Sequence, residues 1–157
     1  MANAIRSAAR DATSTGDPIR SADVLAIVHT LSWRYGDPAR VVADRLGISP
    51  RRVVTTMGGN SPQSLVNSAS QRILRGELNC ALLVGGETWR SRMRARKHGI
   101  DLDWPKVDPE VLEQEPPETW GHDLQMSNAE ETELGLIMPV QVYPCLLYTS
   151  PSPRDIS

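Results

Sequence analysis

Three short runs of strand length, two of them apolar, alternate with segments of helix length along the first half of the chain. The runs are ADVLAIVHTL at 22–31, RRVVTT at 51–56 and CALLVGG at 80–86. A near-continuous apolar run such as the first or the third is typical of a strand covered on both faces by helices. The alternation therefore predicts an α/β layered fold with a largely parallel sheet.

The segments before and after the first run carry the start and stop signals of helices. Residues 2–15 place small apolar side chains on one helical face, and Gly16 supplies a stop signal. A second helix is predicted to begin after Asp37, because aspartate is a preferred N-cap residue. Pro38 suits its first turn and Gly47 suits its C-cap.

A third helix follows the second run and is predicted to end near Gly76. Ser61 is expected to cap its N-terminus, with Pro62 just inside it. Its apolar stripe consists of Leu65, Val66, Ala69 and Ile73. Together with the three runs, these helices form a predicted core over residues 1–88.

The composition changes after the third run. Residues 89–97, WRSRMRARK, are basic, whereas residues 101–133 contain eleven Asp or Glu against one Lys, with several prolines. This pattern predicts a loop-rich excursion from the sheet over residues 89–144, with one helix at 128–137.

Overall composition limits the classes of protein that this chain can represent. The formal charge of −2 gives no overall electrostatic reason to expect a nucleic-acid partner. No apolar run approaches the roughly 20 residues of a membrane span, and the N-terminus lacks the apolar region of a secretory signal. Cys80 and Cys145 form no disulfide framework, and the spacing of the histidines predicts no metal site. We therefore expect a cytoplasmic protein.

The stretch TTMGGNSPQSLVNSA, residues 55–69, resembles the nucleophile region of thiolases. In that family a reactive cysteine lies in V-N-x-x-C-x-S-G-x-Q-A-V, before an alanine-rich helix, G-E, a buried strand and G-G-x-E. The residues in step with this pattern are Ala69, Gln71, Ile73, Gly76, Glu77, Gly85 and Gly86. SWRYGDPARVVADRLGI and WRSRMRARK are similar to an actinobacterial branch commonly labelled acetyl-CoA acetyltransferase. The similarity covers roughly residues 1–144.

The resemblance implies a thiolase-like layered fold and an acyl-CoA acyltransferase that takes a coenzyme A thioester as substrate or ligand. It also implies a homo-oligomer, no covalently bound cofactor, and a base histidine and second cysteine beyond Pro144. Counting back from Gly76, the family's nucleophilic cysteine falls on Gly59, which has no side chain to carry an acyl group. The implied acyl-CoA contacts are Gly58, Gly59, Asn60, Ser61, Arg90 and Arg94.

Gly59 leaves two hypotheses for the function. Ser61 is the nearest hydroxyl, but a serine nucleophile needs a base to activate it and none is recognisable nearby. Its alternative role is to cap the helix. The chain is therefore interpreted as a thiolase-like acyltransferase whose nucleophile position is Gly59, or as a non-catalytic acyl-CoA-binding protein.

Other residues allow a functional and a structural interpretation. The basic run 89–97 suits phosphate contact, a solvated or ion-paired face, or nucleic acid, although no aromatic residues interleave its arginines as base-stacking would require. Cys80 is interpreted as a buried structural residue. His122 could be oriented by Asp123, and Trp33–Tyr35 leave a strand end where ligand-facing groups often lie. For both of these a structural role is favoured.

The last residues, 145–157, differ in character from everything before them. CLLYTSPSPRD, Cys145 to Asp155, resembles the translation of a common transposase sequencing adapter in one reading frame. A natural disordered C-terminus rich in Ser and Pro is the alternative. We expect the tail to be derived from an adapter and the natural chain to continue past Pro144, so that residues 1–144 are a fragment.

Overall fold

The computed structural model describes residues 1–12, 16–122 and 127–136. Its elements are α1 (Ala2–Asp11), β1 (Val24–Ile27), α2 (Pro38–Leu46), β2 (Arg51–Thr55), α3 (Ser61–Leu74), β3 (Ala81–Val84), α4 (Trp89–Lys97), α5 (Pro109–Gln114), β4 (Glu118–Trp120) and α6 (Ala129–Glu133). The chain forms two compact units, Met1–Asp123 and Leu124–Ser157. The predicted tail, 145–157, lies outside the described residues.

The four strands form one sheet in the order β3-β1-β2-β4, and every pair in it is parallel. Val24 of β1 lies opposite Arg51 of β2 on one side and opposite Ala81 of β3 on the other. The predicted α/β fold with a parallel sheet is confirmed. Strand β1, which contains the most continuous of the apolar runs, is an interior strand of this sheet.

Helices cover both faces of the sheet. Because successive side chains of a strand point to opposite faces, Leu25 and Ile27 contact one layer and Val24 and Ala26 contact the other. The first layer is built from α1 and α2, with Ile5, Ala39, Val42 and Ala43 as its buried residues. The second is built around Leu65 and Ala69 of α3, with Val53, Leu78 and Trp120. All four residues of β1 are fully buried.

The connections leave the sheet in opposite directions. The chain passes from β1 through α2 on one face to β2, then through α3 on the other face back past β1 to β3. The loops that follow β1 and β2 therefore diverge to opposite faces. In open parallel sheets such a reversal creates a crevice at the carboxyl ends of the two strands.

The predicted ends of α2 are confirmed. Asp37 occupies the N-cap, where its Oδ1 accepts a hydrogen bond of 2.9 Å from the Arg40 amide, and Pro38 is the first helical residue. Gly47 ends the helix in the left-handed conformation with φ of 68°. Such a conformation favours glycine because it has no Cβ.

The first strand is shorter than predicted, Val24–Ile27 rather than 22–31. Side-chain acceptors take over the backbone amides beyond it. His29 N donates to Thr55 Oγ1 at 2.9 Å, and the amides of Leu31 and Ser32 donate to the Glu87 carboxylate. The chain leaves the ladder after Val28, because the amides of His29, Leu31 and Ser32 bind side-chain oxygens instead of strand carbonyls.

Strand β4 and helices α4 and α5 were not predicted. The sequence indicated loops over this region, yet β4 pairs with β2, placing Val53 opposite Glu118. A bidentate contact supports the pairing, since Arg51 Nε and Nη2 lie 3.0 and 2.9 Å from the two Glu118 oxygens. Trp120 is the one large apolar residue of this three-residue strand, which is too short to show a period. The predicted helix at 128–137 is α6, with a capping box at Asn128 and Glu131; residue 137 lies outside the described residues.

An ion pair joins the first turn of α2 to strand β2. Asp37 Oδ2 makes no hydrogen bond, but Arg52 Nε lies 3.4 Å away, so the arginine's charge offsets that of the carboxylate. The Asp37 side chain is 1% exposed and that of Arg52 is 19% exposed. A buried ion pair contributes little net stability. Removing only one of its partners still costs much, because the remaining charge stays desolvated without its counter-charge.

We predict that Asp37→Ala lowers the free energy of unfolding by about 2–3 kcal/mol, because it removes a cap and the nearer of the two carboxylates that pair with Arg52, leaving it only Glu115 at 3.7 Å. Asp108 offers a matched control, since it caps α5 ahead of a proline but lies exposed. Asp108→Ala should cost about 0.5–1 kcal/mol. Urea unfolding followed by tryptophan fluorescence measures both. Equal losses would contradict the role of the Arg52 contact.

Candidate functional site

The carboxyl ends of the four parallel strands meet at one edge of the sheet. Residues 28–32 follow β1, residues 56–60 follow β2, residues 85–88 follow β3, and residues 121–122 follow β4. The segments after β1 and β2 lie where the diverging connections are expected to leave a crevice. This edge contains the glycine pair singled out in the sequence.

Short hydrogen bonds close the turn between β2 and α3. The Ser61 hydroxyl donates to the Thr56 carbonyl at 2.9 Å, and the Ser61 amide donates to the Gly58 carbonyl at 3.1 Å. Asn60 occupies the N-cap position without a side-chain capping bond. The prediction that Ser61 caps α3 is therefore wrong. Ser61 is the first helical residue, and its hydroxyl points back into the turn instead of toward the helix amides.

The environment of Ser61 does not suit a nucleophile. The residue is 6% exposed, and its hydroxyl proton is used in the bond to Thr56. A serine nucleophile gives its proton to a base such as histidine, and a carbonyl oxygen cannot act as one. Within the described residues Ser61 thus has a structural role in shaping the turn.

The two glycines of the turn differ in the space around them. A Cβ built on Gly59 meets no atom within 4 Å, so the backbone there faces open space. A Cβ on Gly58 would lie 3.0 Å from Asn60 Oδ1 and 3.3 Å from Ser61 Oγ. Gly58 therefore allows the turn to close tightly, whereas Gly59 leaves a bare stretch of backbone that a ligand can approach.

Two threonines connect this turn to the neighbouring strands. Thr55 Oγ1 accepts from the His29 amide after β1, and Thr56 Oγ1 donates to the His122 carbonyl after β4 at 3.1 Å. His29 and His122, which are scattered in the sequence, thus follow the two strands on either side of β2. Sequence reasoning missed this relation because it depends on β4, which was not predicted.

Glu87 anchors the segment after β1 and was also missed. Its carboxylate accepts hydrogen bonds from the amides of Leu31 and Ser32, and the Ser32 hydroxyl in turn accepts from Thr88 N at 3.2 Å. Burial raises the pKa of Glu87, but the hydrogen bonds from Ser32, Leu31 and Thr88 outweigh it and leave the pKa below its ordinary value. The available signal was an acidic residue directly after a buried strand and a glycine pair.

The predicted phosphate contacts lie on α4. Arg90 and Arg94 are exposed, and neither makes an ion pair with a described residue. Arg92 lies over the Trp89 ring at 5.6 Å. Among the described hydrogen bonds and ion pairs, none brings Arg90 or Arg94 to the turn at Gly58–Ser61. One interpretation of the basic run 89–97 was a solvated or ion-paired face. Within the described residues, none of its cations makes an ion pair.

Other candidate residues have structural contacts. Trp33 packs edge-on against Trp104 with ring centroids 5.3 Å apart, and its Nε1 donates to the Pro105 carbonyl at 3.1 Å. These contacts agree with the loop-packing role favoured for Trp33. Cys80 is half-buried with Sγ 3.5 Å from the Pro18 carbonyl, and burial, followed by the charge of Asp23, raises the pKa of its thiol. The raised pKa makes the thiol less reactive.

Compared with known proteins, the chain matches no protein-family model, no curated protein and no solved structure. The resemblance to thiolases therefore rests on the motif residues themselves. Among the described ranges, no helix combines the length and apolar character needed to cross a membrane.

We predict that Glu87→Gln flattens the acid limb of the stability profile. Because the folded-state pKa of Glu87 lies below its ordinary value of 4.5, its stabilisation is full above that pH and is lost as the pH falls through the folded pKa. Wild type should therefore lose stability more steeply than Glu87→Gln between about pH 5 and about pH 3. Thermal melting across this range measures the difference. Glu113→Gln, at an exposed residue of α5, is the control and should follow wild type.

Proposed function

We propose that the chain is a thiolase-like acyl-CoA acyltransferase, and that its turn Gly58–Ser61 contacts the acyl thioester. The observation that carries the proposal is the location of this turn. It follows β2 at the carboxyl edge of the sheet, between two diverging connections, which is where open parallel sheets bind their ligands. The motif that resembles the nucleophile region of thiolases thus lies at the edge of the sheet where a ligand site is expected on topological grounds.

The backbone of the turn has the chemistry for a thioester oxygen. Open space at Gly59 lets a ligand come close to the main chain. Pro62 has no N–H and the Ser61 amide is used by Gly58, so the Gln63 amide is a first-turn donor open to a ligand oxygen. The N-terminus of the fourteen-residue helix α3 also favours partial negative charge there.

Arg90 and Arg94 are the proposed contacts for the phosphates of coenzyme A. Guanidinium groups bind phosphate oxygens in a bidentate manner, and both side chains are exposed without a described acidic partner. The proposal includes a cytoplasmic location and a homo-oligomeric assembly, as the family resemblance implies. It includes neither a nucleic-acid partner nor a metal.

A non-catalytic acyl-CoA-binding protein is the second candidate, and one observation favours it. In a thiolase the cysteine thiolate attacks the thioester carbonyl, forming an acyl-enzyme and releasing coenzyme A. Gly59 has no atom that can form this bond, and the Ser61 hydroxyl is engaged with Thr56. The described residues of the turn therefore support binding of the thioester without transfer of its acyl group.

We predict that the protein binds acetyl-CoA reversibly and that Gly59→Leu weakens binding at least tenfold, because a side chain would occupy the space the thioester needs. The double variant Arg90→Gln/Arg94→Gln should also weaken binding, whereas Arg10→Gln, at an exposed arginine of α1 bonded to Ser7, should not. Isothermal titration calorimetry measures the affinities, and melting temperatures check the fold. Unchanged affinity in Gly59→Leu would overturn the proposed site.

Intact-mass analysis after incubation with acetyl-CoA separates the two candidates. A covalent acetyl adduct on wild type supports the acyltransferase, while binding without an adduct supports the binding protein.

We further predict that Gly59→Cys becomes acetylated, since a Cβ at this position meets no neighbouring atom and the thiol would lie at the N-terminus of α3. Cys80 provides an internal control, because burial raises the pKa of its thiol. Peptide mapping should find the acetyl group at position 59 and not at Cys80. Equal labelling of both positions would show that the turn does not direct the thioester.

A further inference from the structure

A separate cavity lies on the α2 side of the sheet, away from helix α3. Its volume is about 440 Å³, it is partly open to solvent, and it is lined by the start of α1, by α2, by the residues after β3 and by Trp104 and Pro105. Cavities that hold small molecules span about 300–1,000 Å³. It shares no lining residue with the turn Gly58–Ser61.

One stripe of α2 forms the floor of the cavity. Pro38, Val41, Val42 and Arg45 line it, and their spacing of three and four residues puts them on one side of the helix. The floor is thus aliphatic along most of its length and ends in a guanidinium group. Val42 is 6% exposed and belongs to the core, so the floor is a fixed part of the fold.

The opposite wall is held by specific contacts. Trp104 packs against Trp33, and the Trp33 ring nitrogen donates to the Pro105 carbonyl. Two residues on, the Val107 amide donates to the Tyr35 carbonyl at 2.9 Å. The aromatic wall is therefore attached to the segment that leads into α2.

Arg45 is the one cationic side chain that lines the cavity, and Met1, which carries the N-terminal ammonium group, lines it as well. Its guanidinium makes no ion pair with a described residue, and its carbonyl accepts a hydrogen bond of 2.6 Å from Arg6, a second cation at the same helix end. The one lining carboxylate, Glu87, already accepts from the amides of Leu31 and Ser32. The cavity therefore offers a cationic side chain without an ion-pair partner in the described residues, and an apolar body.

We propose that this cavity binds a small apolar carboxylate, such as a medium-chain or aryl-substituted alkanoic acid. The carboxylate pairs with Arg45, and the apolar part packs between Val41, Val42 and Trp104. A monoanion suits the site better than a phosphate ester, because Glu87 in the same lining repels a second negative charge. The proposal goes beyond the acyl-CoA function and uses none of its residues.

Hexanoate and its neutral counterpart hexanol are the probes, with binding to the full chain measured by calorimetry. Hexanoate should bind at least tenfold more tightly than hexanol. Arg45→Gln should weaken hexanoate at least tenfold and leave hexanol unchanged, whereas Arg10→Gln should change neither. Val41→Trp, which fills the cavity, should weaken both probes. Melting temperatures confirm that each variant is folded.

Three results would overturn the proposal: equal affinity for the two probes, hexanoate binding that survives Arg45→Gln, or hexanoate binding that survives Val41→Trp in a folded protein. Displacement of hexanoate by acetyl-CoA would contradict the claim that this cavity is distinct from the acyl-CoA site. Loss of acetyl-CoA binding in Gly59→Leu with hexanoate binding retained would support two distinct sites, so the two proposals fail or stand independently.

Discussion

Burial of β1 on both faces is the constraint on which the rest of the structure depends. Its four residues are fully buried, pair with β2 and β3, and contact helices on both sides. Burying an aliphatic side chain contributes about 1.5–3 kcal/mol, so this strand concentrates much of the apolar stabilisation in one segment. A shift of one residue in its register would exchange Leu25 and Ile27 with Val24 and Ala26, and would undo both layers at once.

The candidate site depends on that central strand because the amides of the residues just after β1 bind side-chain oxygens of neighbouring segments. Thr55 takes the amide of His29, and Glu87 takes those of Leu31 and Ser32. These bonds attach the segment after β1 to the last residue of β2 and to the segment after β3 at the carboxyl edge. A rigid edge of this kind holds the glycine turn in place, since preorganisation of a site lowers the entropy lost on binding.

Much of the core could be predicted from the sequence, because its signals are local. Runs of strand length identified β1, β2 and β3, and residues such as Asp37, Pro38 and Gly47 identified the ends of α2. Strand β4 could not be predicted, since Glu118–Trp120 contains one large apolar residue and depends on Arg51, far away in the chain. The prediction of the N-cap residue of α3 was also wrong. Ser61 and Asn60 both suit an N-cap, and only the bond from Ser61 to Thr56 decides between them.

The proposed site would bind a thioester without transferring its acyl group, because Gly59, in the turn after β2, lacks the side chain that a cysteine would supply. The helix terminus and the open backbone at Gly59 can polarise a thioester carbonyl whether or not a nucleophile is present, since both act through main-chain groups. Bond formation requires a side-chain atom at the same point, and the hydroxyl of Ser61 is directed into the turn. On the proposed function, the geometry at this turn would therefore serve binding alone. A side-chain nucleophile at position 59 is one element that acyl transfer would need in addition.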